Sequence, residues 1–171
     1  MRDHLTPLVE FLDKYGTTPG LLLDVGGEGN HSRERTDVYK HEYEDLNISG
    51  GPKYDVREDP YVWPIPNNKY DYVISTSTFE HIVFPWLTFL EMVRVTKVGG
   101  YIFLNIPSAG PEHHSGGAGG FDAWRFYPDA MIALSKWGNV RLLESYIDNT
   151  DGSGVWKTCT GIFIKETNDS R

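Results

Sequence analysis

The chain is predicted to fold as an α/β domain with a mostly parallel sheet flanked by helices and an antiparallel C-terminal strand pair. Three observations predict it. The first is the stretch 21–30, LLLDVGGEGN, in which a short apolar run ends in an acid and then a glycine-rich turn. Such a run, bounded by turn residues, suits a buried strand, and a strand that ends this way grips nucleotide-like ligands at a sheet edge. The second is the order strand, helix, glycine turn, strand over 70–106, because parallel neighbours need a crossover connection. The third is the pair of strand-like runs 140–147 and 156–165, joined around the turn 149–154 and therefore read as antiparallel.

In chain order, 1–15 places Leu5, Leu8, Val9 and Leu12 at helical spacing, with Thr6 and Pro7 near the start and Gly16 at the end. After the strand 21–25, Gly26, Gly27 and Gly29 let the backbone turn sharply and a ligand approach it. The following 31–42 (HSRERTDVYKHE) is polar, and with only Val38 and Tyr39 apolar it is not expected to form a long core-facing helix. A second strand is read over 43–48, carrying Glu44 and Asp45, and a short third over 53–56. Pro60, Pro64 and Pro66 keep 57–69 from being helical throughout.

The strand 70–76 (YDYVIST) precedes a helix 85–95, in which Pro85 sits where a first-turn proline is tolerated and Trp86, Phe89, Leu90 and Val93 form a core stripe. Lys97-Val98-Gly99-Gly100 ends that helix before the strand 101–106. A glycine-rich loop or lid is expected over 107–122, then a helix over 127–137 stopped by Gly138.

With 171 residues the chain has room for one domain, read as 1–165 with a polar tail 166–171. A net charge of −8 argues against a broad nucleic-acid or anionic-membrane surface. One cysteine, Cys159, excludes an intrachain disulfide and a cysteine-based zinc site and suits a reducing compartment. No leader pattern and no apolar run of about 20 residues is present, so a cytoplasmic location is expected.

A second acid stands 21 positions after the first, Asp45 after Asp24, which repeats the spacing by which a sheet edge holds a ribose. Together, LLLDVGGEGN, YEDLNIS, DPYVWPIPNNKYDYVISTSTFEHI and EMVRVTKVGGYIFLNIPS resemble the class I S-adenosylmethionine-dependent methyltransferases, type 11 group, over roughly residues 20 to 165. The distinctive pieces are Pro64, Pro66 and Asp71 at their spacing, Phe79-Glu80-His81, and the run from Arg94 to Gly100. The resemblance implies a Rossmann-like fold and S-adenosylmethionine as cofactor, with S-adenosylhomocysteine as product. It puts Asp24, Val25, Gly26, Gly27, Glu28 and Gly29 around the methionine and ribose. Asp45, followed by Leu46, would take the ribose hydroxyls, with Glu44 as the neighbouring alternative. Asp59 would meet the adenine amino group, with Pro60 or Tyr61 lining the base, and Ser75, Thr76 and His81 would line the methionyl side. Departures are Glu28 and Asn30 at usual glycines, Val98 at a usual proline, and a short charged stretch where a helix should follow the turn.

Methyl transfer to a hydroxyl gains from a positioned base. His81, His113, His114 and Asp122 are the candidates, with Arg125 as a group that holds an anionic or hydroxyl-rich acceptor or else pairs with an acid such as Asp129. The competing reading of His81 is a structural hydrogen bond near a helix start, and that of His113 and His114 a solvated loop. No metal site is expected, since an adjacent histidine pair shows no further ligand in the sequence. Trp124, Phe126 and Tyr127 suit stacking on a sugar or aromatic acceptor, against the alternative that they pack the following helix. The expected activity is methyl transfer to a small or glycan-like acceptor, probed against a non-catalytic cofactor-binding subunit. A nicotinamide dehydrogenase is disfavoured, because no Gly-x-Gly-x-x-Gly follows the first strand.

Overall fold

A computed structural model describes residues 5–27, 30–47, 54–56, 59–113, 121–149, 152 and 154–168, the side chains of Asn30, His31 and Asp55 aside. Seven strands form one sheet: β1 (Leu21–Val25), β2 (Glu42–Asn47), β3 (Tyr54–Asp55), β4 (Tyr70–Thr76), β5 (Thr96–Ala109), β6 (Arg141–Asp148) and β7 (Lys157–Ile164). Their order is β3-β2-β1-β4-β5-β7-β6. The pairs from β3 through to β5 are parallel, and β7 runs antiparallel to both β5 and β6. The chain winds outward from β1 through β3, then returns to place β4 on the other side of β1. The crevice between the carboxyl ends of β1 and β4 is therefore the topological switch point, where sheets of this class bind ligands.

Alternation along β1 sorts its leucines between two cores. Leu22 joins Leu8, Phe11 and Leu12 of α1 (Thr6–Tyr15) with Ile74 and Phe103. Leu23 joins the opposite cluster, with Phe89, Met92 and Val93 of α3 (Pro85–Val95) and Met131 and Leu134 of α4 (Pro128–Gly138). Both β4 and α3 keep their sequence-read bounds. The buried amine of Lys165 donates to the Val93 and Thr96 carbonyls at 2.9 Å each, so a cation meets the negative end of α3.

Several expectations need correction. A helix does follow the glycine turn: α2 (Asn30–Asp37) spans eight residues, with Ser32 and Thr36 buried. The Lys97-Val98-Gly99-Gly100 run lies inside β5, where Gly99 takes φ 83 and its N–H donates to the Lys165 carbonyl at 2.7 Å, so a bulged strand start replaces the turn. Gly138 does not stop α4 but belongs to its last turn. A β-carbon there would stand 2.8 Å from Phe89, so glycine lets α4 approach α3, and Asn139 takes the left-handed position at φ 51. Trp86 leaves the core stripe and is 38% exposed, meeting Trp124 edge to face at the surface and not the sheet. Of the expected 107–122 loop, 107–109 belong to β5, and 114–120, including His114, lie outside the described residues. Among the described residues no helix is long and apolar enough to cross a membrane.

Candidate active site at the carboxyl edge

At the end of β1, Gly26 turns with φ 86 while its N–H donates to the Leu46 carbonyl at 2.7 Å. A β-carbon at Gly26 would run into the hydroxyl and methyl of Thr78, so the turn lies flush against the loop after β4. Ser75 ties the same two strands, its hydroxyl donating to the Val25 carbonyl at 2.8 Å. Ser75 is thus engaged inside the sheet, and Val25 and Leu46 are buried with it. The next residue past Thr76, Ser77, holds φ 48, an uncommon conformation outside glycine and one that clusters at functional sites.

Asp24 is 1% exposed and its Oδ2 accepts from the Tyr43 hydroxyl at 2.7 Å. Burial pushes its carboxyl up to about 6, hydrogen bonds from Tyr43 and Ser32 pull it back, and the charge of Asp45 pushes it further up. Gly27 lies against this carboxylate: a β-carbon would come within 2.9 Å of Asp24 Oδ2. Asp45 is the register partner of Asp24 on β2, so both acids share one face of the sheet, and Asp45 is partly exposed.

Glu44 faces the other way, into a set of hydrogen bonds of its own. Its Oε2 accepts from Lys69 Nζ at 2.6 Å, from the Tyr54 hydroxyl at 2.9 Å, and from Tyr70. Burial pushes its carboxyl up, but these hydrogen bonds outweigh it and hold Glu44 at about 2. Asn47, which sequence reasoning passed over, shares the Asp45 face and ends β2 level with the glycine turn; its place two residues after Asp45 was the available signal. Asp59 is exposed and accepts from the Tyr61 N–H at 3.0 Å, while the Pro60 carbonyl accepts from the Trp63 indole at 3.0 Å. Glu28 and Gly29 lie outside the described residues.

Beyond Thr78, the 3-10 turn Phe79–His81 carries Glu80 into the interior at 0% exposure. The segment 121–126 is laid across this turn. Ala123 N–H donates to the Glu80 carbonyl at 2.8 Å, Trp124 Nε1 to the Ile82 carbonyl at 2.9 Å, and Phe126 N–H to the Pro107 carbonyl at 2.9 Å. His81 Nδ1 meets the Phe121 carbonyl. Glu80 Oε1 then stands 3.6 Å from His81 Nε2 and 3.9 Å from His113 Nε2. Apart from Glu80's own backbone N–H, neither Glu80 oxygen has a hydrogen-bond partner among the described residues, and burial pushes its carboxyl up to about 7.

Asp122 accepts from the His113 N–H at 2.7 Å and from Arg125 through both oxygens, at 2.6 and 2.8 Å. The guanidinium holds Asp122 well below the ordinary carboxylate range, so that it stands as a charged anchor for the segment. Arg125 pairs with Asp122, not with Asp129. The structure thus brings His81, His113, Asp122 and Arg125 together. It adds Glu80, which sequence reading missed although it sat inside the Phe79-Glu80-His81 motif.

The sequence model for the methyltransferase domain matches residues 30–104, which hold β2, β4 and this turn. Over those residues the chain is similar to that methyltransferase domain. An uncharacterized methyltransferase of Mycobacterium ulcerans (strain Agy99) is 34% identical over 114 residues, covering 56% of this chain and 45% of that protein. One of Mycobacterium bovis (strain BCG / Pasteur 1173P2) is 34% identical over 80 residues, covering 42% and 32%. The chain therefore spans less than half the length of these curated relatives. Among solved methyltransferases, the fold matches the Burkholderia thailandensis 1,6-didemethyltoxoflavin-N1-methyltransferase, solved with its substrate and S-adenosylhomocysteine, at TM-score 0.73 and 10% identity, covering 96% of this chain and 79% of that one. It also matches an Aquifex aeolicus S-adenosylmethionine-dependent methyltransferase at TM-score 0.67 and 13% identity, covering 94% and 91%.

Beside the Glu80–His81–His113 cluster, the fold carries an open groove of about 520 Å³ between α3 and α4, lined by Pro85, Trp86, Trp124, Phe126, Leu134 and Trp137. Trp86 and Trp124 meet edge to face at 6.1 Å. Phe126 is buried and packs edge-on against Phe79, as the packing alternative anticipated. Arg125 lines the groove as well as holding Asp122, so groove and cluster are neighbours.

Proposed function

We propose that this chain binds S-adenosylmethionine in the crevice between β1 and β4 and transfers its methyl group to a hydroxyl oxygen of a small or glycan-like acceptor. The observation that carries the reading is Asp24, a buried acid at the switch point, level with Asp45 on the neighbouring strand and with Gly27 against its carboxylate. In this reading Gly26 and Gly27 let the cofactor approach the backbone, Asp45 and Asn47 receive the ribose hydroxyls as acceptors, and Asp59 with Pro60 borders the adenine. The crevice sets donor and acceptor in line, which supplies much of the rate because the sulfonium is intrinsically reactive. The acceptor oxygen forms its bond to the methyl carbon as the carbon–sulfur bond breaks, and its proton is lost at the Glu80–His81–His113 cluster.

Support for a glycan-like acceptor comes from the indole-lined groove, since indole faces stack on the apolar faces of sugars. The net charge of −8 disfavours an acceptor with a long phosphate backbone. A cytoplasmic location is part of the reading, resting on the single buried thiol of Cys159.

Calorimetry with S-adenosylhomocysteine, followed by turnover against sugars, nucleotide sugars and small phenols, tests it. Absence of S-adenosylhomocysteine binding sinks the whole reading. Binding without any methylated product sinks the acceptor assignment and leaves a non-catalytic cofactor-binding subunit.

A further inference from the structure

We infer that Glu80, His81 and His113 form a binding site for one divalent d-block cation of the zinc type. The ligand atoms of the three residues all lie within 4.8 Å of one another, with Glu80 Oε1 at 3.6 Å from His81 Nε2 and at 3.9 Å from His113 Nε2. Around a tetrahedral ion with bonds of about 2.0–2.1 Å, ligand atoms stand about 3.4 Å apart. The two carboxylate–imidazole distances exceed that spacing by about 0.2 and 0.5 Å, the imidazole pair lies within 4.8 Å, and side-chain torsions close the three groups onto an ion.

The proton arrangement points the same way. A backbone carbonyl can only accept, so the Phe121 carbonyl at His81 Nδ1 fixes the proton on Nδ1 and leaves the Nε2 lone pair facing Glu80. His113 is tied to Asp122 through its backbone N–H at 2.7 Å, and its Nδ1, 3.3 Å from the same oxygen, makes no hydrogen bond there. A carbonyl behind an imidazole, as at His81, is one of the arrangements that orient metal-binding histidines. Three ligand groups therefore converge. Apart from Glu80's own backbone N–H, no hydrogen-bond donor among the described residues reaches either oxygen of Glu80, a carboxylate at 0% exposure. A buried carboxylate with no other donor is costly, and a cation between the three groups removes that cost.

The ligand set selects the class of ion. Two imidazoles and one carboxylate suit zinc and its transition-metal neighbours, whereas magnesium and calcium take oxygen ligands. Three protein ligands leave a further coordination position open, as in catalytic zinc sites. His113, with its side chain 35% exposed, stands on the open side of the cluster. A hydroxyl entering there would bind the ion and lose its proton more readily, which is how the site would serve the methyl-transfer reading. The binding itself does not rest on that reading.

The test titrates chelator-treated full-length protein with Zn²⁺ in competition with a chromophoric chelator, and with Co²⁺ followed by its visible ligand-field bands. One ion per chain is expected, with Co²⁺ bands of low-coordinate geometry. Glu80→Gln and His113→Ala should each lower Zn²⁺ affinity by about tenfold or more. Circular dichroism and S-adenosylhomocysteine affinity verify the fold of both variants, and His113→Ala, in a partly exposed segment, tests the site without burying a new group. No stoichiometric binding of either ion by the wild type overturns the assignment, as does equal affinity in both variants. The metal titration contains neither cofactor nor acceptor, so its failure leaves methyl transfer standing, and failed S-adenosylhomocysteine binding leaves the metal site standing.

Discussion

The Tyr43 hydroxyl donates to Asp24 Oδ2 at 2.7 Å, across two parallel strands that end at the glycine turn. That bond is too little to offset the burial of a carboxylate, so Asp24 sits raised to about 6 against an ordinary value of 3.8. For an acid raised in the folded state, the stabilising contribution is complete below pH 4 and is lost as pH climbs through 6. Unfolding of the cofactor-free protein in urea should show a stability loss of order 3 kcal/mol across that window from this group. Asp24→Asn should flatten the slope and be the more stable protein at pH 8, while binding S-adenosylmethionine about tenfold or more weakly through loss of a charge-assisted contact. An unchanged slope in Asp24→Asn would show that another group sets the dependence.

Gly26 and Gly152 both hold positive φ, but only Gly26 has a neighbour in the path of a side chain. Gly152→Ala should cost about 1 kcal/mol, the backbone term alone. Gly26→Ala should cost more than about 2 kcal/mol and abolish calorimetric S-adenosylhomocysteine binding, because the Thr78 hydroxyl and methyl occupy the added carbon's place. Adding Thr78→Ala should recover part of the loss, and a double-mutant cycle of urea midpoints measures how much. Additive losses would mean that Thr78 gives way freely.

Glu44 and Asp45 are neighbours in sequence with opposite jobs in this structure. Glu44→Gln should lower the melting temperature at pH 7 and leave S-adenosylhomocysteine affinity unchanged. The carboxyl of Glu44 is depressed to about 2, so its contribution is present above about pH 4.5 and fades as pH falls toward 2, and the gap between wild type and variant should close over that range. Asp45→Ala should behave the other way round, with affinity down about tenfold and the melting temperature nearly unchanged. A thermal-shift series with and without ligand separates the two.

Trp124 is 37% exposed and donates its indole N–H to the Ile82 carbonyl at 2.9 Å, so its ring is held at the groove wall. Trp124→Ala and Trp86→Ala should raise KM for a glycan-like acceptor severalfold without moving the S-adenosylhomocysteine affinity. Trp124→Phe should keep more of the stacking than Trp124→Ala. Steady-state kinetics with each variant decides this, and equal KM values would remove the groove from acceptor binding.

What the sequence by itself determined is what local periodicity and turn chemistry determine. The bounds of β4 and α3 follow from an apolar run and from a proline placed ahead of a helical stripe. The glycine turn follows from backbone freedom that only glycine supplies, and the order of these elements gives a parallel sheet with its switch point at β1 and β4. What the tertiary structure alone decided is whatever depends on partners remote along the chain. A single step of strand parity separates Asp45, on the crevice side, from Glu44, bonded to Lys69 and Tyr70. Trp86 fits a core stripe by spacing, yet whether its face is covered depends on how α4 lies. Arg125 chooses Asp122 over Asp129 because its segment is pinned extended across the Phe79–His81 turn. Glu80 and His113 meet for the same reason, 33 positions apart, and no spacing in one sequence reports a contact made by two loops folding over one sheet edge.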